Sequence, residues 1–230
     1  VSDSDKLVKR EKGFLIVEML LLFSAFFMPG LFADVPEEGK IELYMIYYCL
    51  YSLPQILLMI YIIWNHGRTD LSDFGIKKVY LKDLLIIFAS FSGVIAFVFL
   101  LIFIIFLLPQ NILDSLSTGY QWQSSKPLPV VLILIFSLTT GYREELFFRA
   151  YLLARARQIG IMPVIGLFLT TLLFMAFHFY EGIMGLIISG FLGLGFGLLF
   201  LKFQNLHIIA ISHALYNFFI LYLAQMYPVY

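Results

Sequence analysis

Apolar residues fall along this chain in long runs broken by short polar stretches, and seven runs approach or exceed the roughly 20 residues that cross a bilayer core as a helix. They predict helical spans at Gly13–Phe32, Ile41–Trp64, Leu84–Leu108, Leu128–Arg155, Met162–Tyr180, Gly182–Leu201 and Leu206–Tyr227. The expected fold class is therefore all-α. It is a polytopic membrane helix bundle of about seven, or eight, transmembrane helices, forming one integral membrane domain over residues 1–230. The first run is of full length and lacks a small-residue cleavage site, so a cleavable signal peptide is not expected. Pro54 should kink the second span, and Tyr44, Tyr47, Tyr48 and Tyr51 read as interfacial aromatics at its outer end.

Charge orients the bundle. Lys6, Lys9, Arg10 and Lys12 precede the first span; Arg68, Lys77, Lys78 and Lys82 separate the second from the third. Arg155 and Arg157 follow the fourth, and Lys202 follows the sixth. The opposite loops hold only Lys40 and Lys126, beside the acids Asp34, Glu37 and Glu38. Basic loops stay in the cytoplasm, which predicts a cytoplasmic N-terminus. Composition agrees: 61% of residues are hydrophobic and 13% charged, against about 25% charged in soluble domains. A net charge of zero gives no reason to expect nucleic acid as a partner. The single cysteine, Cys49, lies in an apolar run and reads as a small core hydrophobe.

Against this background Arg143-Glu144-Glu145-Leu146-Phe147-Phe148-Arg149 stands out, because ionisable groups within a span cost a few kcal/mol each and are seldom idle. On a regular helix Glu145 and Arg149 lie about 40° apart and can pair, whereas Glu144 and Arg149 lie about 140° apart. Glu144 is therefore the expected chemical group, with Glu145–Arg149 as its scaffold. Phe174 and His178 share a face of the fifth span, and His213 and Asn217 a face of the seventh. Depth supports convergence. The fourth and fifth spans should turn at Gly160, which sets Glu144 and His178 nearly level. Glu144 lies roughly 24 Å from that turn, and His213 and Asn217 lie roughly 16–22 Å from Lys202, at 1.5 Å per residue. Ser189, Gly193 and Gly197, four residues apart on the sixth span, offer a face for close helix packing.

A carboxylate beside a histidine can hold a water and take its proton during attack on a carbonyl. A second imidazole and an amide can donate to the oxyanion that develops. The set therefore fits peptide hydrolysis without a covalent intermediate and with no required cofactor. Ser212 points about 100° away from His213, and Cys49 has no partner in view, so neither makes a nucleophile. Zinc is the competing use of the same atoms, with Glu144, His178 and His213 as ligands, although the His-Glu-x-x-His helix is absent. His207, His66 and Glu181 read as ordinary polar residues, and Glu18 as facing the bundle or snorkelling.

Glu144-Glu145-x-x-x-Arg149, Phe174-x-x-x-His178 and His213-x-x-x-Asn217, in order on successive apolar helices within Leu128–Gln225, resemble the three motifs of the CAAX protease and bacteriocin-processing family (CPBP, or Abi). Its eukaryotic members include the type II CAAX prenyl endopeptidases. The resemblance implies an intramembrane glutamate-dependent protease in which Glu144 and His178 activate water while His213 and Asn217 stabilise the oxyanion. Glu145, Arg149 and Phe174 match motif positions and would support them. The implied substrate is a peptide or lipidated protein, such as the C-terminal tripeptide of a prenylated CAAX protein or a bacteriocin precursor. The implied location is the cell membrane of a bacterium or the endoplasmic reticulum membrane of a eukaryote. The chain departs from the prenyl endopeptidases in showing seven spans where they have eight. Two non-proteolytic uses of the same polar cluster remain as rivals: a scaffold or bacteriocin-immunity factor, and a proton-coupled transporter.

Overall fold

The computed structural model describes residues 3–28, 40–65, 70–116 and 127–226, and among these the secondary structure is entirely helical. The helices are α1 (Asp3–Phe26), α2 (Ile41–Asn65), α3 (Leu81–Phe106), α4 (Gln110–Leu116), α5 (Val130–Glu145), α6 (Leu152–Ile159), α7 (Pro163–Phe177), α8 (Gly182–Phe203) and α9 (Leu206–Met226). Asp34, Glu37, Glu38, His66, Arg68 and Lys126 lie outside the described residues.

Among the described residues, four helical stretches are long and apolar enough to cross a membrane: Ile41–Asn65, Leu81–Phe106, Phe179–Phe203 and Leu206–Met226. Their length and apolar composition suit an integral membrane protein. The expected fifth span contains the shorter apolar helix Pro163–Phe177. The expected fourth span is one continuous rod of different internal geometry: α5 passes into a π-helical segment, Leu146–Tyr151, before α6 resumes. A π turn inside an α-helix is uncommon and gathers at functional sites. Here it begins on the residue after Glu145.

The rod ends at Gly160, where φ is +95°, a left-handed conformation that glycine adopts without cost. Pro163 then opens α7 at a position that needs no amide donor. The hairpin turn expected at Gly160 is thus formed. Glu18 turns into the bundle: its Oε1 lies 3.0 Å from Arg155 Nη2 and accepts a hydrogen bond from Tyr151 at 2.5 Å, which ties α1 to the rod.

Close packing places the rod. α5 packs most extensively on α9 and α7 on α8, with α2 against α5 and α3 against α9. At Gly141 the α5 and α9 backbones touch so closely that an added Cβ would lie 2.7 Å from Ala210 O. On α8, Gly193 lets Thr171 and Phe174 of α7 approach, and Leu167 packs over Gly197. The small-residue face expected on that span therefore packs against α7. The core above the π segment is aromatic: the Phe27 ring lies 4.5 Å from Phe147 and 4.9 Å from Phe148.

A buried polar cluster between four helices

Two adjacent carboxylates at the end of α5 have different surroundings. Glu145 is fully buried, and its Oε1 lies 3.1 Å from Arg149 Nη1 and 2.8 Å from His213 Nδ1. The expected Glu145–Arg149 pair is present, although it reaches into the π segment. Arg149 Nη2 also donates to Gly193 O at 3.3 Å, and its guanidinium carbon sits 4.3 Å from the centre of the Phe174 ring. One arginine thereby joins the rod to α7 and α8.

Glu144 is 2% exposed, and its Oε2 has no hydrogen-bond partner among the described residues. The nearest cationic or imidazole nitrogen paired with it is His213 Nε2, at 3.9 Å. That separation is too long for a hydrogen bond and short enough for one water to touch both atoms. The tautomer sharpens the point. A carboxylate only accepts, so the 2.8 Å contact assigns the proton of a neutral His213 to Nδ1 and leaves Nε2 with a lone pair. Two acceptors then face each other, an arrangement that a molecule donating two protons can bridge. His213 is held from its faces as well, by Phe196 stacked at 4.8 Å and by Phe174 at 6.3 Å, edge to face.

His178 does not pair with Glu144 directly. It caps α7, and its Nδ1–H donates to Phe174 O at 2.8 Å, which leaves Nε2 as an acceptor. Its ring lies 4.5 Å from that of Phe174, which also lies 6.3 Å from His213 and so neighbours both imidazoles. Tyr180, stacked 6.4 Å from His178, lies within electrostatic reach of Glu144. Asn217 is half-buried on α9, and its amide makes no hydrogen bond within the described residues. Among the candidate residues, the structure thus brings Glu144, Glu145, Arg149, Phe174 and His213 together. His178 joins through Phe174, while Asn217 sits one turn beyond His213.

Among the described residues, no three His, Cys, Asp or Glu side chains form a group that could hold a metal ion. Glu144, His178 and His213 therefore do not fit a zinc set in this arrangement. Ser212 is also engaged elsewhere: its Oγ lies 2.7 Å from Ile208 O and 3.2 Å from Ile87 O.

Sequence reasoning placed Arg143 in this stretch but gave it no role. Arg143 is 3% exposed; its Nε donates to Gln55 Oε1 at 2.6 Å, its Nη1 to Tyr48 OH at 2.8 Å, and its Nη2 to Phe26 O. Its guanidinium carbon sits 4.4 Å from the centre of the Phe27 ring. Tyr48 therefore points inward, unlike the interfacial role expected of it. Tyr48, Ser52 and Gln55 share a face of α2 at helical spacing, and that polar stripe within an apolar run was the available signal.

Residues 126–219 match the model of a family described as type II CAAX prenyl endopeptidase Rce1-like. No curated protein and no solved structure matches the chain. The matched stretch contains α5 through α8, Glu144, Glu145, Arg149, Phe174 and His178, together with His213 and Asn217 on α9. Buried carboxylates, a histidine oriented by one of them and the motif order all lie inside it, so residues 126–219 are similar to the Rce1-like type II CAAX prenyl endopeptidases.

Proposed function

We propose that this protein is an intramembrane endopeptidase that hydrolyses a peptide bond with a water activated by Glu144. The observation that carries this reading is the pairing of an unpartnered, buried Glu144 Oε2 with His213 Nε2 at 3.9 Å, while Glu145 holds the opposite imidazole nitrogen. In the proposed reaction the water oxygen bonds to the substrate carbonyl carbon and its proton passes to Glu144. His178, whose Nε2 carries a lone pair, is the second proton acceptor. The oxyanion is met by the Asn217 amide and by His213, whose Nε2 takes over the water's proton from Glu144 and directs it at the oxyanion while Glu145 holds Nδ1–H. As the carbon–nitrogen bond breaks, the proton is returned to the leaving amine. Arg149 and Phe174 position the two histidines.

A protease family implies a peptide or protein substrate. The finer proposal is a C-terminal tripeptide of a prenylated protein, entering along the membrane plane or from the cytosol, with the N-terminus of the chain on the cytoplasmic side. The proposed chemistry needs no metal, and 128–225 holds the catalytic helices.

The test is cleavage of fluorogenic farnesylated and unmodified peptides by purified protein, with and without a strong chelator, in wild type and Glu144→Gln. Loss of cleavage in Glu144→Gln with the fold intact is expected. Wild-type cleavage by that variant would end the proposal. Equal cleavage of both peptides would remove only the prenyl preference.

A further inference from the structure

Away from the carboxylate cluster, a second polar feature lies where the loop entering α3 meets the start of α9. It is an open cavity of about 600 Å³, walled by Lys77, Lys78, Lys82, Tyr80 and Asn205, with Ile208 of α9 among its apolar residues. A 3₁₀ turn, Leu71–Phe74, leads into this loop, and Gly75 O accepts a hydrogen bond from Leu206 N at 2.7 Å. Asn205 Nδ2 reaches Lys78 O at 3.5 Å, so both walls belong to one packed unit.

The charge within the cavity is one-sided. Among the described residues its only acid is Asp83, which is buried and whose carboxylate accepts the Tyr80 amide proton at 2.9 Å, capping α3. The three lysines are exposed, and among the described residues none pairs with an acid. The Lys82 ammonium instead lies 5.5 Å from the centre of the Tyr80 ring. Immediately beside them, Leu81 is 84% and Leu85 76% exposed, on the first turns of a helix apolar enough to cross a membrane. Leucines that open belong in acyl chains, so the lysines stand at headgroup level. Basic cavities at that level attract anionic headgroups, each lysine adding roughly five-fold in affinity.

We infer that this cavity binds the phosphate of an anionic phospholipid, with the three ammonium groups around the phosphodiester and the acyl chains along Leu81 and Leu85. Such a lipid clamps the loop entering α3 to the start of α9, the helix that carries His213. The inference does not depend on the proteolytic reading.

The experiment uses the full chain in neutral detergent, with phosphatidylglycerol, phosphatidylcholine of matched chains, or glycerol phosphate alone. Retained lipid is read by native mass spectrometry and the unfolding temperature by thermal shift. Phosphatidylglycerol should be retained and raise the unfolding temperature, whereas phosphatidylcholine should do neither. The combined variant Lys77→Gln, Lys78→Gln, Lys82→Gln should weaken retention roughly a hundred-fold, and Lys12→Gln should leave it unchanged. Gel filtration confirms that the triple variant remains folded, since the exchanged side chains are exposed. Equal retention of both lipids, or phosphatidylglycerol retention by the triple variant, would overturn the inference. Displacement of the lipid by glycerol phosphate at equal concentration would overturn the lipid assignment in favour of a soluble phosphate.

Discussion

Gly141→Ala tests whether the contact between α5 and α9 sets the geometry of the polar cluster. The new Cβ would lie 2.7 Å from Ala210 O, 3.0 Å from Ala214 N and 3.2 Å from Ala214 Cβ. Two of these are backbone atoms of a packed helix, so no side-chain rotation relieves the contact. Reaching ordinary van der Waals distance requires the helices to part by roughly 0.7 Å. Gly141 lies one turn before Glu145, and Ala210 and Ala214 flank His213. The same displacement would stretch the 2.8 Å contact between Glu145 and His213 to about 3.5 Å, beyond useful hydrogen-bond length. Overpacking costs about 1–3 kcal/mol, while alanine regains about 1 kcal/mol of helix propensity, so the net loss of stability is only about 0–2 kcal/mol. Activity should suffer more, because a misplacement near 1 Å costs on the order of 100-fold. The expected signature is a small fall in unfolding temperature with a loss of peptide cleavage of about 10- to 100-fold. Gly195→Ala is the control, since nothing lies within 4 Å of its added Cβ. Wild-type cleavage by Gly141→Ala, or an equal loss in Gly195→Ala, would refute the reasoning.

Glu144→Gln and Glu145→Gln should separate by assay. The first abolishes cleavage with little change in thermal stability, because no hydrogen bond to Oε2 is lost. The second abolishes cleavage and lowers stability by about 3–5 kcal/mol in thermal or denaturant unfolding, because it leaves Arg149 buried without its carboxylate. Arg143→Lys should destabilise nearly as much as Arg143→Met, measured by unfolding temperature, since one ammonium cannot reproduce three hydrogen bonds directed from a planar fork. Wild-type cleavage should persist after exhaustive treatment with a membrane-permeant chelator; loss restored by added zinc would overturn the metal-independent chemistry.

Helix class and the order of the apolar runs were legible in the chain because both follow from hydrophobic period and length. The Glu145–Arg149 pair was legible for the same reason, being a matter of four residues on one face. The π segment was not. Nothing in Leu146–Tyr151 distinguishes it locally from an α-helix, and the rings that pack against it, Phe27 and Phe174, come from distant parts of the chain. The pairing of Glu145 with His213 was equally out of reach, since period places a residue on a face without saying which of two neighbouring carboxylates an imidazole from another helix will take. Tyr48 was misread for a related reason. An aromatic near the end of a span suits an interface, and only the buried Arg143 opposite it draws it inward.

The difference between the two carboxylates also bears on the rival in which the cluster serves packing alone. An ion in a low-dielectric interior costs several kcal/mol unless its oxygens are paired. Glu145 Oε1 meets that requirement with two partners, which hold the carboxylate even though its Oε2 makes no hydrogen bond among the described residues. Glu144 Oε2 lies at nearly the same depth with no hydrogen bond, beside an imidazole whose lone pair faces it and supplies no proton. A glutamine there would keep the shape of the side chain and spare the cost of the ion, so packing alone gives no reason for a carboxylate. The reason must lie in what fills the gap. A group that donates two protons and is attacked or released in turn fits those two acceptors, and water is the smallest molecule that does so. Retention of full biological function by Glu144→Gln, with its thermal stability raised, is the result that would favour packing instead.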